Sequence, residues 1–199
     1  MTTTNKTKHS SSNPIMRYAI GNLHRTVRDL LPVTATRILE VGVGEGFSAQ
    51  DVLGDRTDLH SYGGDLHTPS VDEAASRYPP MHYSVFDAKH LPFPSNSVDL
   101  IYSLEVLEHI PQPADAVREF MRVARSHLLI SVPNEPIFRI QRMMQGKGLS
   151  AWGDHPEHVN HWSLGGMRRF LDAQGLRVVT ATSPPPFAWS VILCEVPPR

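Results

Sequence analysis

Residues 38–50, Ile-Leu-Glu-Val-Gly-Val-Gly-Glu-Gly-Phe-Ser-Ala-Gln, set glycines at 42, 44 and 46 directly after a short apolar run. A run of that length bounded by glycine reads as a buried strand, and the glycines as the turn that carries the chain into a helix. A strand–glycine turn–helix junction constrains a chain to βαβ units, because the helix must pack back onto the sheet that it has just left. The same turn is where such folds bring backbone close to nucleotides. A P-loop is excluded, since no Gly-Lys-Ser/Thr follows. A dinucleotide fingerprint fits poorly, because its third glycine would fall at 47, where the chain has Phe47.

The rest of the chain keeps the βα rhythm. Pro14 suits the first turn of a helix bearing Ile15, Tyr18, Ala19, Leu23, Val27, Leu30 and Leu31, which Pro32 closes. After the glycine turn come a helix over 47–54, a strand over 60–66, and a helix near 70–78 with Ser70 and Glu73 spaced as a capping box. Strands are expected over 81–88 and 98–105, separated by a turn-rich stretch. Pro113 opens a helix with Ala114, Val117, Phe120, Met121 and Ala124 on one face, and 127–132 is the next buried strand. Ser163 can cap a helix carrying Leu164, Met167, Phe170 and Leu171, which Gly175 stops. Strands over 176–182 and 188–196 complete a set of seven.

These elements predict an α/β, doubly wound, mostly parallel seven-stranded sheet with an antiparallel C-terminal edge strand. The last two strands share only a short Pro-rich link, too short for a crossover helix, so they should run antiparallel to each other. Residues 1–13 are polar and read as a disordered tail, leaving 14–199 as one domain. The segment from Pro133 to Trp162 breaks the rhythm and reads as a lid inserted at the ligand edge.

In open α/β sheets ligands sit beyond the carboxyl ends of the strands, where Gly42, Asp65, Asp87 and Glu105 all fall. Glu40, two residues before the first glycine, would repel a pyrophosphate but attract a cationic ligand bearing an amino group. Asp65, about 20 residues after the turn, suits a carboxylate accepting from ribose hydroxyls. Asp87 is a second acid, placed where an adenine amino group could donate.

This ordered set, together with the stretch Leu91-Pro-Phe-Pro-Ser-Asn-Ser-Val-Asp-Leu-Ile-Tyr-Ser103, resembles the class I S-adenosylmethionine-dependent methyltransferases from about Ile38 to Val196. The resemblance implies a Rossmann-like fold and S-adenosyl-L-methionine as cofactor. It places the cofactor against Glu40, Gly42, Gly44, Gly46, Asp65, Leu66, Asp87, Ala88 and Ser103. Val43 and Glu45 depart from the small or polar residues common there, and Glu45 is expected to add a carboxylate near the cofactor.

Two constellations compete for the acceptor chemistry. Glu105, Glu108 and His109 have the i, i+3, i+4 spacing of one helix face. The insertion offers Asp154, His155, Glu157, His158 and His161. Together they resemble methyltransferases that modify the terminal ribose of small RNAs, in which such an element and a later histidine ligate a divalent metal. That resemblance implies Glu105, Glu108, His109 and His158 as ligands. The alternative, which is preferred, is metal-free transfer with His158 as general base and His109 second. Met143, Met144, Met167, Trp152 and Trp162 are candidates for an adaptable acceptor pocket.

Charge is balanced, 19 Lys and Arg against 20 Asp and Glu, with no basic run to hold a polyanion. The expected acceptor is therefore a small molecule methylated at oxygen, with nucleic acid and membrane not expected as partners. A metal-dependent RNA ribose methyltransferase and a catalytically silent binding protein of the same fold are the alternatives. Cys194 is the only cysteine, which excludes an internal disulfide and fits a reducing cytoplasm.

Overall fold

The structure, a computed structural model, describes residues 13–198 apart from 55, 57, 145 and 147–156. The expected tail thus lies, save for Asn13, outside the described residues, as do Trp152, Asp154 and His155.

Helix α1 (Pro14–Asp29) starts where expected, with Pro14 in its first turn and the Asn13 side chain accepting from the Ile15 amide. It buries Ala19, Ile20, Leu23 and Val27. Strand β1 (Arg37–Val41) then enters the glycine turn, which opens α2 (Phe47–Leu53). β2 (His60–Asp65), α3 (Thr68–Arg77) and β3 (His82–Val85) follow, then β4 (Val98–Leu104), a single 3-10 turn (Leu107–His109) and α4 (Pro113–Val123). β5 (Ala124–Pro133), α5 (Ile137–Met144), α6 (Leu164–Ala173), β6 (Arg177–Thr182) and β7 (Trp189–Glu195) complete the fold.

The seven strands form one sheet in the order β3-β2-β1-β4-β5-β7-β6. β1 pairs in parallel with both β2 and β4, so strand order reverses between β1 and β4. A reversal of that kind opens a crevice at the carboxyl ends of the two strands, because their following loops turn to opposite faces. In this register Glu40 stands beside Gly63 on one side and Tyr102 on the other.

Three expectations are corrected here. β7 is antiparallel, as predicted, but it lies between β5 and β6 rather than at the edge. Its continuous run Trp189–Cys194 is buried on both faces, as an interior strand requires, whereas β6 is half-exposed along its length and takes the edge. No capping box forms at Ser70: Pro69 starts α3 a turn earlier, Ser70 bonds the His67 ring, and Glu73 pairs with Arg77. Ala124, expected on the apolar face of α4, is the first residue of β5, which the chain enters with no intervening loop.

Candidate active site

Backbone geometry sets the cleft floor. Gly42 has φ +83°, and a Cβ there would lie 2.1 Å from Val106 Cγ2, so only glycine lets the β1 turn pass beneath the loop after β4. Gly46 has φ +78° and would drive a Cβ to 2.8 Å from the Ala74 backbone, so it permits close packing of the turn on α3. Phe47, the residue in the slot of a third dinucleotide glycine, lies under the Arg77 guanidinium at 3.7 Å.

Asp65, last residue of β2, accepts from the Gly44 amide through Oδ2 and from the His67 amide through Oδ1, each at 3.0 Å. It holds the glycine turn open, and its carboxylate keeps lone pairs for a further donor. Asp87 accepts from the Lys89 amide at 2.9 Å, an Asx turn that fixes it just past β3. A cavity of about 310 Å³ lies between them, at the reversal of strand order. Gly42, Gly44, Asp65, Leu66, Asp87, Ala88, Glu105 and His109 all line it. Gly64, Phe86, Val106 and Ile110 line it too and were missed by sequence reasoning. The paired glycines before Asp65 and the aromatic residue before Asp87 were the available signals.

Glu40, Gly46 and Ser103 stand behind this wall. Glu40 is fully buried; its Oε1 accepts from Ser48, and its Oε2 accepts from the Tyr102 hydroxyl at 2.6 Å. Burial pushes its carboxyl up to about 7, against the two hydroxyl hydrogen bonds, which favour the ionised form. Ser103 donates to the Val41 carbonyl at 2.9 Å and ties β4 to β1. Glu45 does not join the cleft: it is buried away from it, and its carbonyl accepts from Arg77.

The electrostatics of the wall select its ligand. It carries three carboxylates, Asp65, Asp87 and Glu105, and neither lysine nor arginine. A phosphorylated nucleotide would meet like charge there, whereas a nucleoside bearing cationic groups would meet attraction. Leu66, Phe86, Ala88 and Ile110 add apolar surface for a flat base. The donor set and shape thus fit S-adenosylmethionine.

Glu105, Glu108 and His109 do not share a helix face. Only Leu107–His109 is helical, as one 3-10 turn, and Glu105 lies before it in the left-handed region at φ +58°. Glu105 accepts from the Trp189 indole, while Glu108 is buried and His109 lines the cleft. His158 is buried behind His109, with ring centroids 5.1 Å apart, and stacks on Phe138 at 5.4 Å. One potential ligand atom each of Glu108, His109 and His158 lie within 4.8 Å of one another; Glu135, His158 and His161 form a second such trio. Glu135 was not foreseen.

The described end of the insertion docks on this turn. The amides of Val159 and Asn160 donate to the Glu108 carbonyl, and the Asn160 side chain donates to the Leu107 and Ile110 carbonyls. His109 Nδ1 lies 2.8 Å from the Glu157 carbonyl. A carbonyl only accepts, so Nδ1 carries the hydrogen, and in the neutral ring Nε2 is the acceptor. Of the proposed acceptor-pocket residues, Met167 is buried in the core beneath α6, Trp162 packs on Phe170, and Met144 is exposed.

Comparison with known proteins finds methyltransferases. A family model described as a methyltransferase domain matches residues 39–130. A probable S-adenosylmethionine-dependent methyltransferase of Mycobacterium tuberculosis is 34% identical over 107 residues, covering 53% of this chain and 38% of the relative. The 2-methyl-6-phytyl-1,4-hydroquinone methyltransferase of Synechocystis is 29% identical over 177 residues, covering 81% of this chain and 54% of that one. The chain therefore spans about half or less of the length of these curated relatives. Among solved structures, magnesium protoporphyrin IX methyltransferase from Synechocystis, with bound S-adenosylhomocysteine, superposes with a TM-score of 0.70 at 14% identity. That alignment covers 94% of this chain and 90% of the other, and it shows a shared fold. Among the described residues no helix is long and apolar enough to cross a membrane.

Proposed function

We propose that the chain is a class I S-adenosylmethionine-dependent methyltransferase and that it methylates a hydroxyl oxygen of a small-molecule acceptor in the cytoplasm, with His109 taking the proton. The observation that carries this reading is the position of His109: it lines the cleft, and with the Glu157 carbonyl accepting from its Nδ1 the neutral ring has its lone pair on Nε2. His158, preferred from sequence, stands one layer further from the cavity, where it supports the ring of His109.

When bound, the cofactor supplies an electrophilic methyl group on a sulfonium and leaves as a neutral thioether. Asp65 would hold the ribose hydroxyls and Asp87 the adenine amino group, with Leu66, Phe86 and Ala88 against the base. Gly42 and Gly44 let backbone approach the ligand, and Glu40, behind them, supplies negative charge once ionised. The acceptor hydroxyl would give its proton to Nε2 of His109. The imidazolium so formed lies 4.0 Å from the buried Glu108 carboxylate, which stabilises it. The end of the insertion is seated on 107–110 through Asn160 and Glu157, which holds His109 in place for the transfer.

A small acceptor is supported by the relative named as a hydroquinone methyltransferase and by the balanced charge of a sequence without a basic run. The test is a screen of hydroxylated small molecules, with RNA in parallel, using methyl-labelled cofactor. One or more small molecules should be labelled, and His109→Ala should lower the rate about 10²–10⁴-fold with cofactor affinity kept. Label in RNA alone would favour the ribose methyltransferase reading. No label anywhere, with cofactor bound, would favour a silent fold.

A further inference from the structure

Glu135 is buried at 8% exposure, yet neither of its carboxylate oxygens accepts a hydrogen bond from a described residue. The carboxylate is divided between two kinds of neighbour. Oε2 faces the Arg139 guanidinium at 3.3 Å. Oε1 faces two imidazoles: Nδ1 of His161 lies 3.7 Å away and Nδ1 of His158 4.0 Å away.

Those separations are too long for hydrogen bonds, which need about 2.7–3.2 Å between heavy atoms. They are close to the spacing of ligand atoms that share an ion: two atoms each about 2.0–2.2 Å from a tetrahedral centre sit roughly 3.3–3.6 Å apart. All three side chains present one ligand atom within 4.8 Å of the others. Two imidazoles and one carboxylate suit a borderline transition ion and suit Mg²⁺ or Ca²⁺ poorly. His161 is about one-third exposed, which leaves an entry path, while Glu135 and His158 close the site from behind.

We propose that Glu135, His158 and His161 bind one divalent transition-metal ion, with Zn²⁺ as the reference probe, and that the ion latches the end of the insertion to its beginning. Glu135 stands at the start of the insertion, beside the Asn134–Trp162 bridge, and both histidines come from its end. The ion thereby fixes the segment whose Glu157 carbonyl sets the His109 ring. The role is structural: none of the three ligands lines the cofactor cavity. The neighbouring trio of Glu108, His109 and His158 is a weaker candidate, because Nδ1 of its His109 is committed to the Glu157 carbonyl. The inference does not depend on the acceptor and stands apart from the cofactor site.

The experiment is calorimetry of the full chain, stripped with chelator, titrated with Zn²⁺, and separately with S-adenosylhomocysteine as a check on folding and on the cofactor site. One equivalent of Zn²⁺ should bind, and Glu135→Gln and His161→Ala should each weaken binding by at least about 10²-fold. Glu105→Gln should leave Zn²⁺ affinity within about 2-fold of native, and Glu135→Gln and His161→Ala should keep native affinity for S-adenosylhomocysteine. Amide exchange of 157–162 should slow at least about 10-fold when Zn²⁺ is added. Absence of saturable Zn²⁺ binding by the native chain would overturn the proposal. So would binding that survives in both Glu135→Gln and His161→Ala. Failure of S-adenosylhomocysteine to bind would instead count against the cofactor reading and leave the Zn²⁺ result to be read by itself.

Discussion

The hydroxyl of Tyr102 donates to Oε2 of Glu40 at 2.6 Å, across the β1–β4 pair, with both side chains fully buried. Removal from water pushes the Glu40 carboxyl up to about 7 despite this bond and the one from Ser48. The unfolded chain releases that proton near the ordinary carboxylate value of 4.5, whereas the folded chain keeps it until about pH 7. The stabilising contribution is therefore complete below about pH 4.5 and is lost as pH rises to about 7. Urea unfolding of the ligand-free protein should show a loss on the order of 3 kcal/mol across that window. Glu40→Gln, which cannot titrate, should flatten this part of the profile; an unchanged slope would contradict the assignment.

Asp65 joins the glycine turn to the proposed ribose site through its bonds to the Gly44 and His67 amides. Asp65→Ala removes a charge-assisted acceptor and loosens the turn, so affinity for S-adenosylhomocysteine should fall by roughly 1.5–3 kcal/mol. Calorimetry reads this directly. Native affinity in Asp65→Ala would remove Asp65 from the site.

Gly42→Ala meets two separate obstacles, its positive φ and the 2.1 Å approach to Val106 Cγ2. The left-handed backbone costs about 1–2 kcal/mol and the overlap about 1–3 more. Thermal unfolding should show the loss, and adding Val106→Ala should recover only the overlap part. Full recovery in the double variant would show that the backbone conformation is unstrained.

Asn160 spans the Leu107 and Ile110 carbonyls with one side-chain amide. Asn160→Ala leaves both carbonyls without that donor, so the insertion should open more often. Hydrogen exchange over 157–162 should quicken by about 10-fold for each 1.4 kcal/mol lost, with exchange in β4 and β5 unchanged. Equal quickening in the central strands would mean that the variant loosens the whole domain instead.

Most of the sheet was legible because strand, turn and helix each leave a local mark. The Ile38–Val41 run, the alternate glycines, Pro14, Pro113 and Ser163 all act within a few residues of themselves, and they appear where expected. Insertion of β7 between β5 and β6 was not legible, because the choice between edge and interior depends on pairing across the chain. The continuous burial of Trp189–Cys194 was the one local hint. Asp65 was legible from its distance to the turn and Asp87 from its place at the end of the third strand, and both line the cavity. Glu105, Glu108 and His109 misled because helical spacing assumes a helix, and the left-handed Glu105 ends the strand without starting one. Glu135 and His161 meet only through the docking of the insertion, a contact that no periodicity encodes.

The central claim is that the acid-lined cavity after β1, β2 and β4 holds S-adenosylmethionine. Calorimetric titration of the native protein with S-adenosylhomocysteine, alongside NAD, tests it most directly. A saturable one-to-one complex with S-adenosylhomocysteine and no heat with NAD is the expected result. Saturable binding of NAD, or none of S-adenosylhomocysteine, would contradict it.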